Sequence, residues 1–566
     1  MRMGTTAELA DELLDLMFTQ MPLAATVYGV PGYDHLLTDH RAETDEATRA
    51  QALDIAERAR TLPADDDPVT RAVIVQQARA VVDLIDARGV EYTITDSFFA
   101  PAGELLTVMP MTALSGPESE RAYLDRLAAV PDFLRRVADR QLAGAAAGRT
   151  PVQHLVDAAV AHVDRYLVAD DDPFARPAGS DEFTAERERL LADVVRPAFA
   201  AYRDVIAGIG GRSTDEVGLG RLPGGEAMYA ALVRVQTTTD RTPAELHQTG
   251  LDVMAGVTRE LAELGERVFG TSDVAAVLER MRTDPALRWT TEDELIDAAR
   301  EAVTRAEEAA PRWFGRVPEQ RCRVEPVPAA DAPGAPTAYY APPSADGLRP
   351  GTYYANTHRV EERFRYQAEA IAFHEAVPGH HFQITLAQQL TDLPMLRRVA
   401  NVTAYLEGWG LYTERLADEM GLYSDDVARL GMLAMDSLRA GRLVVDTGLH
   451  AHGWSRAQGV EYLSRHTPMA LVEIENEVDR YIAAPGQALA YMVGRLEILR
   501  IRAAAEEALG DRFDIRAFHD LVLGGGPLPL AVLDEVVSEW AASGGTTSGE
   551  AASGEAAAER VRADHP

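Results

Sequence analysis

The sequence predicts a mainly α-helical protein, and three observations carry that prediction. Apolar residues recur at three- and four-residue spacing over long stretches, Ala, Leu, Arg and Glu dominate, and β signal is scarce. The spacing predicts helices over 184–206, with an interruption at Pro197, over 245–268 and over 292–309. Ser213 with Glu216, and Thr291 with Glu294, each place a carboxylate three residues after a hydroxyl. In a capping box those two side chains satisfy free N–H groups of a first helical turn. Residues 360–373 read as an amphipathic helix running into a histidine cluster. In 337–356, TAYYAPP and TYYAN flank a turn at 344–351, which predicts a short tyrosine-rich hairpin. Residues 541–566 are a Gly/Ser/Ala/Glu tail too poor in apolar side chains to bury a core, and are read as disordered. Residues 1–540 then form one large helical domain.

Composition excludes a good deal of chemistry. The chain has 566 residues, with 55 basic against 89 acidic side chains and a formal charge of −34. None of the basic residues is lysine, so amine chemistry such as Schiff bases, lysine-anchored pyridoxal phosphate and P-loops is ruled out. A single cysteine, Cys322, excludes intrachain disulfides, multi-thiolate zinc sites and iron–sulfur clusters. The negative charge opposes nucleic acid and anionic membranes as partners. No apolar stretch is long enough to span a bilayer, and the acidic N-terminal segment lacks a secretory pattern. A cytoplasmic location is expected.

Three of the 14 histidines fall within eight residues, His374-Glu-Ala-Val-Pro-Gly-His380-His381. A His-Glu pair followed by further histidine on a helix is the ligand pattern of zinc peptidases, in which imidazoles hold the metal and the glutamate activates a water. The usual spacing is H-E-x-x-H, but here the fourth position after His374 is Pro378. On a straight helix His380 would point roughly 120° away from His374. His381 would lie within about 20° of it but roughly 10 Å further along. Pro378 and Gly379 permit a two-residue bulge that favours His380 as second ligand, with His381 as the alternative. A third ligand is expected downstream in YLEGWGLYTE, where Glu407 is favoured. Glu414, seven residues on, is then a supporting or arginine-paired carboxylate. Glycines on both sides of Trp409 suggest close helix packing or approach to a ligand.

These residues resemble the bacterial family of domain of unknown function 885. HEAVPGHHFQ, YLEGWGLYTE, the stretch from Arg442 to His450, Pro485-Gly-Gln487-Ala-Leu-Ala-Tyr491 and FHDLVLGGGPLPLAVL carry the likeness over most of the chain. That family is similar in fold to the thermostable carboxypeptidase Taq family and, more distantly, to the thimet and neurolysin oligopeptidases. The resemblance implies a gluzincin: a large helical domain with a deep cleft and a small β-hairpin or sheet near the active site. By the same analogy His374, His380 and Glu407 are the Zn2+ ligands and Glu375 the general base. Tyr491 looks placed like the oxyanion-stabilising tyrosine of the related oligopeptidases, the alternative being a packed core phenol.

Further candidates stand around this core. Asp446 and His450 are four apart and can face one another on a helix, to orient substrate or ligands or merely as a structural pair. Tyr354, on a strand expected to offer its edge to an extended peptide, and Gln487 are substrate-side candidates. Arg349 and Arg495 are possible carboxylate clamps. The resulting expectation is a zinc-dependent metallopeptidase, a carboxypeptidase or oligopeptidase acting on a peptide or other small amide. The rivals are a zinc hydrolase of non-peptide amides or esters, and a silent helical binding protein.

Overall fold

The computed structural model describes residues 5–545 apart from 64–66, 330–331, 333–334 and 344–348. It is mainly helical with one small three-stranded mixed sheet. Near the N-terminus Thr6–Gln20, Ala42–Thr61 and Pro68–Asp86 meet through Leu9, Leu13, Ile55, Val73 and Ile74. A second apolar core joins Pro117–Ala146 and Gln153–Val168 to a rod running from Asp181–Leu190 into Arg196–Ala207. That rod is the predicted 184–206 span. Its interruption is a π-helical turn, Leu191–Val195, just before Pro197, whose ring would clash with the preceding turn of a regular helix.

Two other helices appear as the periodicity predicts, Pro243–Phe269 and Glu292–Ala309. The second opens with the expected capping box of Thr291 and Glu294. Ser213 to Glu216 does not start a helix. Ser213 accepts from Asp215 N, and the carbonyl of Thr214 accepts from Arg456 N, so a tertiary contact takes the backbone out of helical geometry. The predicted helix over 360–373 begins only at Ala368, after two short turns, Val360–Glu362 and Arg365–Gln367. Phe364 is extended because it pairs in a β-bridge with Arg288, whose guanidinium lies 3.9 Å over its ring.

The hairpin strands are present as β2 (Ala338–Ala341) and β3 (Thr352–Ala355), paired antiparallel; residues 344–348 of their turn lie outside the described residues. A third strand, β1 (Arg323–Pro326), adds parallel to β3, giving the order β1-β3-β2. β3 is therefore bonded on both sides, and the expectation that 352–356 offers a free edge to a peptide is not met.

Six helices after the sheet build the site. They are α1 (Ala368–Glu375), α2 (His380–Gln389), α3 (Thr403–Glu419), α4 (Asp426–His450), α5 (Leu471–Ala483) and α6 (Ala490–Leu509). In α4 every residue from Leu430 to His450 is buried, charged ones included. The last helix, Leu530–Ala542, carries the helical body two residues past the predicted boundary at 540, and the predicted disorder of 546–566 lies outside the described residues. Among the described residues no helix is long and apolar enough to cross a membrane.

Burial sets an acid limit on this fold. It lowers His450 to about 4 and His519 to about 3, both neutral inside the core. His519 donates Nδ1–H to Trp313 O at 2.8 Å and accepts from Tyr412 OH at 2.8 Å. For a base with a lowered folded pKa, stability is full above about 6.5 and is lost as pH falls toward the folded value. The slope reaches about 1.4 kcal/mol per pH unit per group. Asp446, raised to about 7 by burial, works in the opposite sense and offsets one of the two. Denaturant unfolding between pH 7 and 4 is expected to show a falling stability, with a shallower slope in His519→Gln.

Candidate metal centre

The centre is made by breaking a helix. α1 ends at Glu375 and α2 begins at His380, so the chain departs from helical geometry over four residues instead of forming the expected two-residue bulge. The connection includes a cis Val377–Pro378 bond. At Gly379 a Cβ would lie 1.8 Å from the carbonyl oxygen of His374, so only glycine lets the two histidines approach. The carbonyl of Pro378 accepts from Trp409 Nε1 at 2.9 Å, which ties the connection to α3. The rings of His374 and His380 end 4.8 Å apart and nearly perpendicular.

α3 supplies the third group. Glu407 Oε2 lies 3.5 Å from Nε2 of His374 and 3.5 Å from Nε2 of His380. Ligands around a tetrahedral ion with bonds of about 2.1 Å are spaced about 3.4 Å apart, so both distances to Glu407 match a zinc-sized ion. Among the described residues these three form a group whose ligand atoms lie within 4.8 Å of one another. Two turns further along α3, Glu414 is fully buried and accepts from His374 Nδ1 at 2.9 Å. That bond leaves Nε2 of His374 to face the metal position, a common carboxylate–histidine arrangement at metal sites. The glycines beside Trp409 are explained by contact. A Cβ on Gly410 would stand 2.7 Å from the His374 ring, and one on Gly408 would meet the backbone of Gly494 on α6.

Electrostatics agree with the geometry. Burial works against a charge on His374, but hydrogen bonds to Glu407 and Glu414 overcome it and hold the imidazole up at about 9. Burial also opposes charge on Glu407, yet its two histidines keep it well below the ordinary carboxylate range. Three carboxylates, Glu375, Glu407 and Glu414, thus surround two imidazoles, an environment that favours a cation. Glu375 itself is raised by burial, with His374 and His380 pulling the other way.

A family model described as "Bacterial protein of unknown function (DUF885)" matches residues 22–537. The chain belongs to that family. A "putative lipoprotein" from Colwellia psychrerythraea has a similar structure, with a TM-score of 0.87 at 27% identity, over 95% of this chain and 99% of that one. A "putative lipoprotein of unknown function" from Shewanella oneidensis shares the fold, with a TM-score of 0.74 at 16% identity, over 94% and 100% of the two chains. No curated protein matches.

The other sequence candidates of this DUF885 chain divide by position. His381 points away from the centre: Nε2 donates to Gln320 O at 2.9 Å and Nδ1 meets Tyr340 OH at 3.0 Å. Tyr491 stacks toward His374 with ring centroids 6.5 Å apart. Gln487 accepts from Arg480 at 2.8 Å. Asp446 and His450 do not bond to one another. Asp446 accepts from Tyr229 OH at 2.5 Å and from Gly486 N, bracing the turn that leads into α6, while His450 accepts from Leu219 N and donates to Tyr481 O. Tyr354 stacks on Tyr339. Arg495 is committed to buried Asp436, and Arg349 is exposed and donates to Pro342 O.

Some residues were not singled out beforehand. Tyr353, the neighbour of Tyr354 and on the opposite face of β3, is buried and feels the charge of Glu375, as does Cys322, whose thiol burial pushes up to about 12. Arg439 and Arg442 of α4 lie 5.7 Å and 4.4 Å from the centre of the Tyr491 ring. Their i, i+3 spacing was legible, but nothing distinguished it among 55 arginines.

Removing the brace on His374 is expected to weaken metal binding without removing a ligand. Zinc competition titrations on Glu414→Gln should give roughly 10–100-fold lower affinity. Metal analysis should show loss with His380→Ala and retention with His381→Ala.

Proposed function

We propose that this chain is a zinc-dependent hydrolase, a metallopeptidase of the carboxypeptidase or oligopeptidase kind. The observation that carries the reading is the place of Glu375, the last residue of α1, directly after His374 of the His374, His380 and Glu407 group. A scaffold that only stored a metal would have no use for a base beside the ligands. The likeness of H-E-x-x-P-G-H-H with a downstream E-G-W to gluzincin motifs supports it. His374, His380 and Glu407 would hold Zn2+, which when bound supplies a Lewis acid that polarises a carbonyl and acidifies a water.

The protein's own groups do the rest. Glu375, whose carboxyl is raised by burial, takes a proton from the attacking water and delivers it to the leaving amine. The phenol of Tyr491 donates to the oxygen on which negative charge develops. Arg442, 4.4 Å from the centre of that ring, makes a cation–π contact that holds the phenol in place. Small amides and peptides are the proposed substrates. A cytoplasmic location is proposed for this chain, whereas the two similar proteins are described as lipoproteins; cell fractionation decides between cytosol and envelope.

Purified protein is expected to bind one zinc per chain and to digest a peptide library. Glu375→Gln should keep the zinc and lose about 10²–10⁴-fold in hydrolysis, read by mass spectrometry of the products. Tyr491→Phe should lower kcat by about 10²-fold with little change in KM. Zinc without hydrolysis by the wild type would overturn the reading in favour of a binding protein.

A further inference from the structure

We propose that Arg439 and Arg442 form a carboxylate subsite beside the metal centre, placed to take the free C-terminal carboxylate of a peptide. This deepens the metallopeptidase reading and rests on it for the identity of the ligand. The two arginines are three apart on α4 and so share a face. Both approach the ring of Tyr491, which in turn stacks toward the His374 ligand. Arg439 also lies 3.9 Å from Glu414, and its charge is felt by Glu375. The pair is therefore linked to the metal centre through Tyr491 and Glu414, both neighbours of the His374 ligand.

The acceptors around this pair are shared among several donors. Arg442 gives Nε and Nη2 to Glu477, at 3.0 Å and 2.9 Å. The same Oε2 also accepts from Arg480 at 3.2 Å and from Tyr481 OH at 2.6 Å. Arg442 and Arg480 thus share Glu477, and Arg439 has Glu414 at 3.9 Å, which already bonds to His374. The charges of Arg439 and Arg480 also act on Glu375 and Asp446, respectively.

Both arginines keep unused donors that a carboxylate could take. Arg439 and Arg442 are 9% and 6% exposed, and Nε of the first and Nη1 of the second are buried with no hydrogen-bond partner. Arg439 Nη1 has only the sulfur of Met435. Buried charged donors without acceptors are costly, and a guanidinium fork matches a carboxylate with two parallel bonds. An internal peptide segment would put a neutral amide there, which cannot take a guanidinium fork with two charge-assisted bonds. The arrangement favours removal of residues from a free C-terminus over internal cleavage.

The test uses zinc-loaded Glu375→Gln protein and isothermal titration calorimetry. One N-acetylated tripeptide library ends in the free acid, a second in the amide, and a third in an amidated glutamate. The acid library is expected to bind at least tenfold more tightly than the amide library. Arg442→Met and, separately, Arg439→Met should abolish that ratio, with zinc content and circular dichroism unchanged. Equal affinity for acid and amide in the unsubstituted arginine background, or no binding of any library, overturns the subsite and needs no arginine variant to do so. Tight binding of the amidated glutamate library supports the carboxylate subsite and assigns its source to a side chain. If the acid preference appears but wild-type protein hydrolyses nothing, the subsite stands and the hydrolase reading falls. If acid and amide are hydrolysed equally, the reverse holds.

Discussion

A charge taken out of water must find an opposite charge or a set of hydrogen bonds, and α4 turns that requirement into architecture. It carries Asp436, Arg439, Arg442, Asp446 and His450 through the middle of the protein, all buried. Asp436 pairs with Arg415 of α3 and Arg495 of α6; Arg415 reaches on to Glu260. Arg442 takes Glu477 of α5, and Asp446 takes Tyr229 and the turn at Gly486. Breaking one partner of such a pair costs roughly 3–5 kcal/mol, because the other charge stays buried. The position of α3 and α6 against α4 is thereby fixed by polar pairs whose geometry is far less forgiving than apolar contact. Since α3 brings Glu407 and Glu414, and α6 brings Tyr491, the metal centre inherits its precision from that rod.

The second constraint is steric. An unbroken helix would separate His374 from His380 in direction, and the chain avoids this by stopping one helix and starting another. Gly379 clears the His374 carbonyl, Gly410 clears its ring, and Gly408 lets α3 lie against α6. Small residues here do not signal flexibility; they are the points where another group already fills the space a side chain would take. The imidazole of His374 is consequently held on three sides, by Gly410, by Glu414 and by the ring of Tyr491.

How far the sequence foretold this depends on the range over which each signal acts. Helices such as Pro243–Phe269 and Glu292–Ala309 follow from local periodicity, and the capping box at Thr291 is a four-residue pattern complete in itself. His374 and His380 were readable because the motif puts them six residues apart, and Glu407, 33 residues after His374, because of its own E-G-W pattern. Pro378-Gly379 correctly announced irregular backbone, though a full break and a bulge look alike in sequence. The Ser213 box failed because Arg456, from a distant segment, claims the backbone of Thr214. β1 was invisible: four residues pairing in parallel with a strand 29 positions away leave no local mark. Tyr353 and Tyr354 are equal in sequence, and only sheet register decides which one turns to Glu375. Asp446 and His450 have the right spacing to meet, but Tyr229, Gly486, Leu219 and Tyr481 engage them instead.

The hydrogen bond from Trp409 to the carbonyl of Pro378 has an optical consequence. The indole is fully buried, packed near Phe314, Tyr412 and His519, and its one polar atom is spent on the loop that delivers His380. An indole's emission depends on the field and hydrogen bonding at that nitrogen, so the chromophore is wired to the loop whose position sets the second ligand. With the other four of the chain's five tryptophans replaced, the emission of Trp409 would gauge the coordination loop without any added dye.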